Sequence, residues 1–209
     1  MDSSTKIINK DLDNFIYVPS INLYIAKKTS HKVNWFNVHK LLQKDKERML
    51  TIPEFIEFLN YIKSSNNQEH LKIYKEITEV RLPWRAEWLD ADFKIKNNKL
   101  HINYNHVLDS NGNLVPKNSE ILEENTLMKD KRISLDDYLN NNHTLQGLPT
   151  KNVELGNLYY QHPRSENNLA TRFDVDANGA GFFYKAVPFG RHPYLGVRAV
   201  KENKKQEVF

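Results

Sequence analysis

The tightest limit on what this chain can fold into comes from residues 165–200, SENNLATRFDVDANGAGFFYKAVPFGRHPYLGVRAV. Two sets of positions interleave there. Phe173, Ala180, Phe182, Pro188 and the closing LGVRAV (195–200) read as framework. Between them lie Asp174, Asp176, Asn178, Gly179, Gly181, Tyr184, Phe189, Gly190, His192 and Tyr194. Gly, Asn and Asp beside aromatics is the composition of adaptable binding surfaces, in which rigid rings anchor and small polar residues adjust. Strict apolar–polar alternation, the mark of a half-buried strand, holds only in patches. The stretch reads either as a binding surface carried on a framework or as a glycine-rich antiparallel meander with long turns.

The chain before it supplies helices first and strands later. Residues 1–14 are polar and are expected to be a flexible N-terminal segment. Ile21, Leu23 and Ile25 alternate with Asn22 and Tyr24, predicting a strand, and Pro19 keeps the preceding residues out of the centre of a sheet. Asn34 is a cap for a helix with Trp35, Val38, Leu41 and Leu42 on one face. His39 lies near that face, where a lone histidine is more often packed than catalytic. Thr51-Ile52-Pro53-Glu54 is a capping box with proline in the first turn, and Phe55, Ile56, Leu59 and Ile62 continue an apolar stripe from Ile52. A third helix near residues 68–80 carries Leu71, Tyr74 and Ile77.

Residues 81–94, RLPWRAEWLDADFK, hold two of the three tryptophans, Trp84 and Trp88, beside Glu87, Asp90 and Asp92. Paired carboxylates in an aromatic cleft would suit a carbohydrate-active enzyme. The competing reading, which is the favoured one, is a structural corner with tryptophans over the core and Arg81 and Arg85 paired to acids, because spacing alone does not bring two of these acids together across a substrate. A hairpin turning at Asn97-Asn98 and a second turn at Asn111-Gly112 follow. Residues 115–127 read as irregular. Ser134 opens a short helix with Tyr138 and Leu139 inward, residues 140–157 are loop-rich, and Leu158-Tyr159-Tyr160 starts a strand.

Composition excludes several classes. With no cysteine, disulfide frameworks, thiolate zinc sites and cysteine nucleophiles are ruled out. His101, His106, His143, His162 and His192 form no HxH or HExxH set, so a metal site would have to be assembled by the fold, and none is predicted. DSNGN resembles part of a calcium loop, but LVPKNSE does not complete it. No Walker loop, dinucleotide fingerprint or Ser-His-Asp arrangement is present, so neither a cofactor nor an enzymatic activity is expected. A net charge of +4 with interleaved Lys and Glu does not call for nucleic acid. No run approaches the roughly 20 apolar residues of a membrane span. The N-terminus lacks the features of a secretory signal, which predicts cytoplasmic synthesis and leaves display on a virion or a cell surface open.

The motifs MLTIPEFIEFL (49–59), PWRAEWLDADF (83–93), INYNHVL (102–108), LVPKNSE (114–120), QGLP (146–149) and LGVRAV (195–200) carry a resemblance to the variable proteins of archaeal and archaeal-virus diversity-generating retroelements. The resemblance implies an α+β chain with a divergent C-type lectin fold over residues 15–209, its N-terminal strand and helices packed on a C-terminal antiparallel sheet. It also implies that residues 21–27 pair with 195–201. In this family a reverse transcriptase misreads template adenines, so AAY codons scatter over many residue types but not Lys, Trp, Glu, Gln or Met. Across residues 172–194 only Lys185 falls outside the permitted set. Carried over by position, the ligand-binding residues would be Asp174, Asp176, Asn178, Gly179, Gly181, Phe183, Tyr184, Ala186, Val187, Phe189, Gly190, His192 and Tyr194. Tyr184, Phe189, His192 and Tyr194 are the expected anchors. The expected partner is a protein on another cell or virus, with a glycan as the alternative. The readings set against this one are a carbohydrate-active enzyme or lectin near Trp84 and Trp88, and a structural virion component.

Overall fold

The Thr51–Glu54 capping box forms: the Thr51 amide donates to Glu54 Oε2 at 2.9 Å, and Arg48 clamps the same carboxylate with two contacts of 2.7 Å. The helix it starts is the central one of an α+β architecture. The structure, a computed structural model, describes residues 10–164, 169–190 and 192–203. Residues 1–9 of the expected N-terminal segment and residues 165–168 of the C-terminal stretch therefore lie outside the described residues, as do Arg191 and the Lys185 side chain.

After a 3-10 turn, β1 (Phe15–Val18), β2 (Leu23–Ala26) and β3 (Ser30–His31) lead into α1 (Trp35–Lys44), α2 (Ile52–Lys63) and α3 (Gln68–Thr78). The long strands β4 (Arg85–Lys96), β5 (Lys99–Leu108) and β6 (Leu114–Ile121) follow, then β7 (Lys131–Ile133) and α4 (Leu135–Asn140). The chain closes with β8 (Leu158–Gln161), β9 (Ala170–Asp176), β10 (Gly179–Ala186), β11 (Leu195–Val197) and β12 (Val200–Glu202).

A small sheet has the order β1-β2-β12, with Val200 opposite Ile25. The expected pairing of the first and last strands is thus present through β12 only. Residues 195–197 instead pair with β3 and, in parallel, with β4. The large sheet runs β3-β11-β4-β9-β10-β8-β7, with β5 and β6 added along the far half of β4. It is mixed rather than antiparallel, because β11 runs parallel to β4 and β8 parallel to β10.

Alternation assigns the faces of this sheet. Leu89, Ala91 and Phe93 of β4, Phe173 and Val175 of β9, and Ala180, Phe182 and Tyr184 of β10 share one buried cluster with Phe55, Leu59 and Ile62 of α2. Burying such a face of aromatic and branched side chains is the main force holding the sheet to the helices. The opposite face is divided. Over β4 and β11 it is covered by α1, where Trp35 and Val38 meet Ala86, Trp88 and Val197. Over β9, β10 and β8 it carries Arg172, Asp174, Gly181, Phe183 and Tyr159, registered opposite one another.

Three local expectations are corrected. Leu41 is 49 % exposed, because the buried stripe of α1 runs through Trp35, Val38, His39 and Leu42 instead. In α3 Ile77 is buried and Tyr74 packs against the core as expected, but Ile73 takes the inward position expected of Leu71. Residues 114–121 form β6 rather than an irregular segment; most of its side chains are exposed, so it leaves no periodic apolar signal.

Candidate functional site

The open half of the sheet face gathers much of the predicted ligand-binding set. Gly181 lies opposite Asp174 and Phe183 opposite Arg172, so the outward side chains of β9 and β10 stand in register. Asp174, Asp176, Asn178, Gly179, Gly181 and Phe183 line one groove of ≈ 280 Å³ together with Arg132 and Tyr159. Missing Cβ atoms at 179 and 181 deepen this groove, and Gly179 also takes φ +114 at the turn.

Rings and guanidinium groups alternate across the face. Arg132 lies 5.8 Å from the Tyr159 ring centroid, Tyr159 lies 5.8 Å from Phe183, and Arg172 sits 5.4 Å from Phe183 and 5.9 Å from Trp84. Trp84 continues to His192 at 4.6 Å and Tyr194 at 6.3 Å. Arginine over aromatic faces is a favourable cation–π arrangement that keeps both partners extended and presentable. Trp84 belongs to this face, whereas composition alone put it in the RLPWRAEW cluster.

The loop after β10 carries the rest of the set. Val187 and Phe189 are 63 % and 65 % exposed, and Tyr194 is 39 % exposed. The loop backbone is held independently of those side chains. Trp35 N donates to Pro188 O at 3.0 Å, Gly190 N to Val187 O at 3.2 Å, and Leu195 N to His192 O at 3.0 Å. Phe189 also rests on Phe36 at 5.1 Å.

Two predicted residues point the other way. Tyr184 is fully buried, stacked 4.8 Å from Phe182, so it is a core residue and not an anchor. Ala186 is buried against the α1 side, because a bulge between Phe183 and Ala186 resets the alternation. The signal for Tyr184 was available: counting by twos outward from Gly181 and Phe183 places Tyr184 with Phe182. Asp174 lines the groove but lies deep, with burial pushing its carboxyl up to about 7 against the pull of Arg172 at 2.9 Å.

The acids of the tryptophan cluster, Glu87, Asp90 and Asp92, are all buried. Trp88 is 1 % exposed and donates to Val33 O at 3.1 Å. Glu87 is buried and accepts from Arg198 and from Arg85.

Sequence reasoning missed a second constellation. His39 on α1, Asp90 in the β4 bulge and His106 on β5 offer side-chain donors that all lie within 4.8 Å of one another, and all three residues are buried. Asp90 Oδ2 accepts the His106 amide at 3.0 Å, Asp90 Oδ1 lies 2.5 Å from His106 Nδ1, and His39 Nε2 lies 3.7 Å from Asp90 Oδ1. Asp92 Oδ2 is 3.8 Å from His106 Nε2, and its other oxygen accepts from Asn103 at 2.5 Å. Burial pushes the His39 imidazole down to about 4, so it is neutral at pH 7. The sequence signs were a histidine on an apolar helix face and carboxylates inside the apolar run WLDADF, but only the fold brings them together.

No family model, curated protein or solved structure matches the chain.

Proposed function

We propose that the protein is a binding protein whose ligand face is the open half of the large sheet, diversified in the manner of a retroelement variable protein. The observation that supports this is the division of β9, β10 and the following loop. Phe173, Val175, Ala180, Phe182 and Tyr184 go into the core, and Asp176, Asn178, Phe183, Val187, Phe189, His192 and Tyr194 stay outside it. A backbone fixed by sheet and loop hydrogen bonds tolerates changes at the outward positions without losing its fold. Aromatic and arginine side chains on that face have the chemistry that dominates protein recognition energetics. A protein target is the expected ligand, bound at equilibrium without chemistry.

The test is in the DNA. A near-copy of the segment encoding residues 165–200, differing almost only at adenines and lying beside a reverse-transcriptase gene, is the expected finding. Its varied codons should fall on outward positions and spare Phe173, Phe182 and Tyr184. A neighbourhood with no such copy overturns the retroelement reading.

A further inference from the structure

We propose that His39, Asp90 and His106, with Asp92 alongside, form an internal site for one divalent first-row transition ion of the zinc class. This site is separate from the ligand face and does not rest on the function proposed for that face.

The case begins with unpaired donors. His39 is completely buried, and neither Nδ1 nor Nε2 has a hydrogen-bond partner; His106 Nε2 is likewise buried without one. Buried polar atoms are almost always paired, and an unpaired one is costly. Three in one cluster, beside two buried carboxylates, are the kind of donors that a cation would engage. A divalent cation would balance the charges of Asp90 and Asp92 and engage the imidazole lone pairs.

The surroundings are those of a built centre. The three main donors come from α1, β4 and β5, so an ion would tie the helix to the hairpin. Trp35 packs edge-on against both rings, with centroids 4.6 Å from His39 and 5.0 Å from His106. Asn103 holds the Asp92 carboxylate, the kind of outer support that orients metal ligands. Lys94, 3.5 Å from Asp92 Oδ2, has a 43 % exposed side chain and is free to swing outward. His106 also borders an open groove of ≈ 810 Å³ lined by Gln43, Arg48 and Glu54.

The donor set selects the metal class. Two imidazoles with carboxylates suit zinc, cobalt, iron or nickel; magnesium and calcium prefer all-oxygen cages. The chain has no cysteine, so a cobalt complex here would be a pure nitrogen–oxygen chromophore.

The experiment uses the full chain, stripped with chelator and titrated with Zn²⁺ and Co²⁺, with Mg²⁺ and Ca²⁺ as controls. The expected result is saturable uptake of about one ion per chain, a rise in melting temperature with Zn²⁺ or Co²⁺ and none with Mg²⁺ or Ca²⁺. His39→Gln and Asp90→Asn should each cut uptake to less than about a tenth. No saturable uptake by the stripped wild-type chain overturns the proposal. So does uptake unchanged in both variants, which would place the ion at surface groups such as His162 and Asp130. Should the variants fail to fold, NMR of the wild-type cobalt complex decides: the Trp35 indole resonance must show paramagnetic shift or broadening, and an unmoved Trp35 overturns the site.

Discussion

Arg198 and Glu87 form a buried bidentate pair, Nη2 to Oε1 at 2.7 Å and Nε to Oε2 at 3.1 Å, with both side chains almost wholly excluded from solvent. The remaining guanidinium nitrogen donates to Ala26 O at 2.9 Å and Lys27 O at 2.5 Å, and the group lies 5.5 Å from the Phe58 ring centroid. One side chain thus joins the C-terminal segment, β4, the end of β2 and α2. Arg198 in LGVRAV is a fastener, and Glu87 is its receptor.

Removing one partner strands the other charge in the core, so Glu87→Gln should lower unfolding free energy by about 3–5 kcal/mol. The double variant Glu87→Leu with Arg198→Met should lose less than the sum of its single changes. Urea unfolding of the wild type, Glu87→Gln, Glu87→Leu, Arg198→Met and the double variant checks both expectations. Additive losses would show that the pair is not coupled. Any activity lost in Glu87→Gln would have to be separated from lost folding before Glu87 could be assigned a chemical role.

Tyr184 separates core from surface. Its ring lies among Phe93, Tyr160 and Phe182, and its hydroxyl is buried beside that of Tyr138. Tyr184→Phe should change stability by no more than about 1 kcal/mol, since it deletes only the hydroxyl's contact with Tyr138 and keeps the ring. Tyr184→Ala should cost about 3–5 kcal/mol. On the outer face, Phe183→Ala, His192→Ala and Tyr194→Ala should leave stability within about 1 kcal/mol. At least one of these three should weaken ligand binding by about 2 kcal/mol. Thermal melts and a binding titration read both sides of this prediction, and a collapse of Tyr194→Ala on heating would move Tyr194 into the framework.

Asp174 gives the fold a pH dependence of definite sign. Burial pushes its native carboxyl up to about 7, while in the unfolded chain it ionises near the ordinary value of about 3.9. Between those limits the native state holds the extra proton, so stability falls as pH rises. The contribution is complete below about pH 4, is lost as pH passes through about 7, and amounts to a few kcal/mol. Asp174→Asn should remove this slope. Denaturant midpoints for both proteins from about pH 4 to pH 8 test it, and parallel curves would show that Asp174 is not the group responsible.

What could be read from the sequence was local. The caps Asn34, Thr51 and Ser134 sit where the helices begin. The turn at Asn97-Asn98 takes positive φ at both residues and closes the β4–β5 hairpin. β4 itself was obscured because it is buried on both faces from Ala86 to Phe93, so no alternation marks it, and the run looks like a corner. The proposed ligand face shows in the sequence as a composition, but its sidedness needs strict counting from Gly181, which separates Phe183 from Tyr184. The His39–Asp90–His106 cluster depends on a bulge in β4 and on α1 crossing β5; no local spacing encodes either.

Glycine provides the sharpest test of tolerance on the proposed ligand face. A Cβ at Gly181 would meet Phe183 Cε2 at 2.4 Å and Tyr159 O at 3.3 Å, so the main obstacle is the far end of a ring standing on the outer face. That ring can turn aside, and Gly181→Ala should change stability by less than about 1 kcal/mol while narrowing the groove. Gly147 is different. It has φ +80, and its Cβ would fall 2.7 Å from Ile52 Cγ2 and 2.9 Å from Pro53 N, at the rigid start of α2. Gly147→Ala should cost about 2 kcal/mol or more and lower the melting temperature by several degrees. If Gly181→Ala proved as damaging as Gly147→Ala, the outer face would be part of the scaffold. Wholesale diversification of residues 172–194 would then be physically untenable.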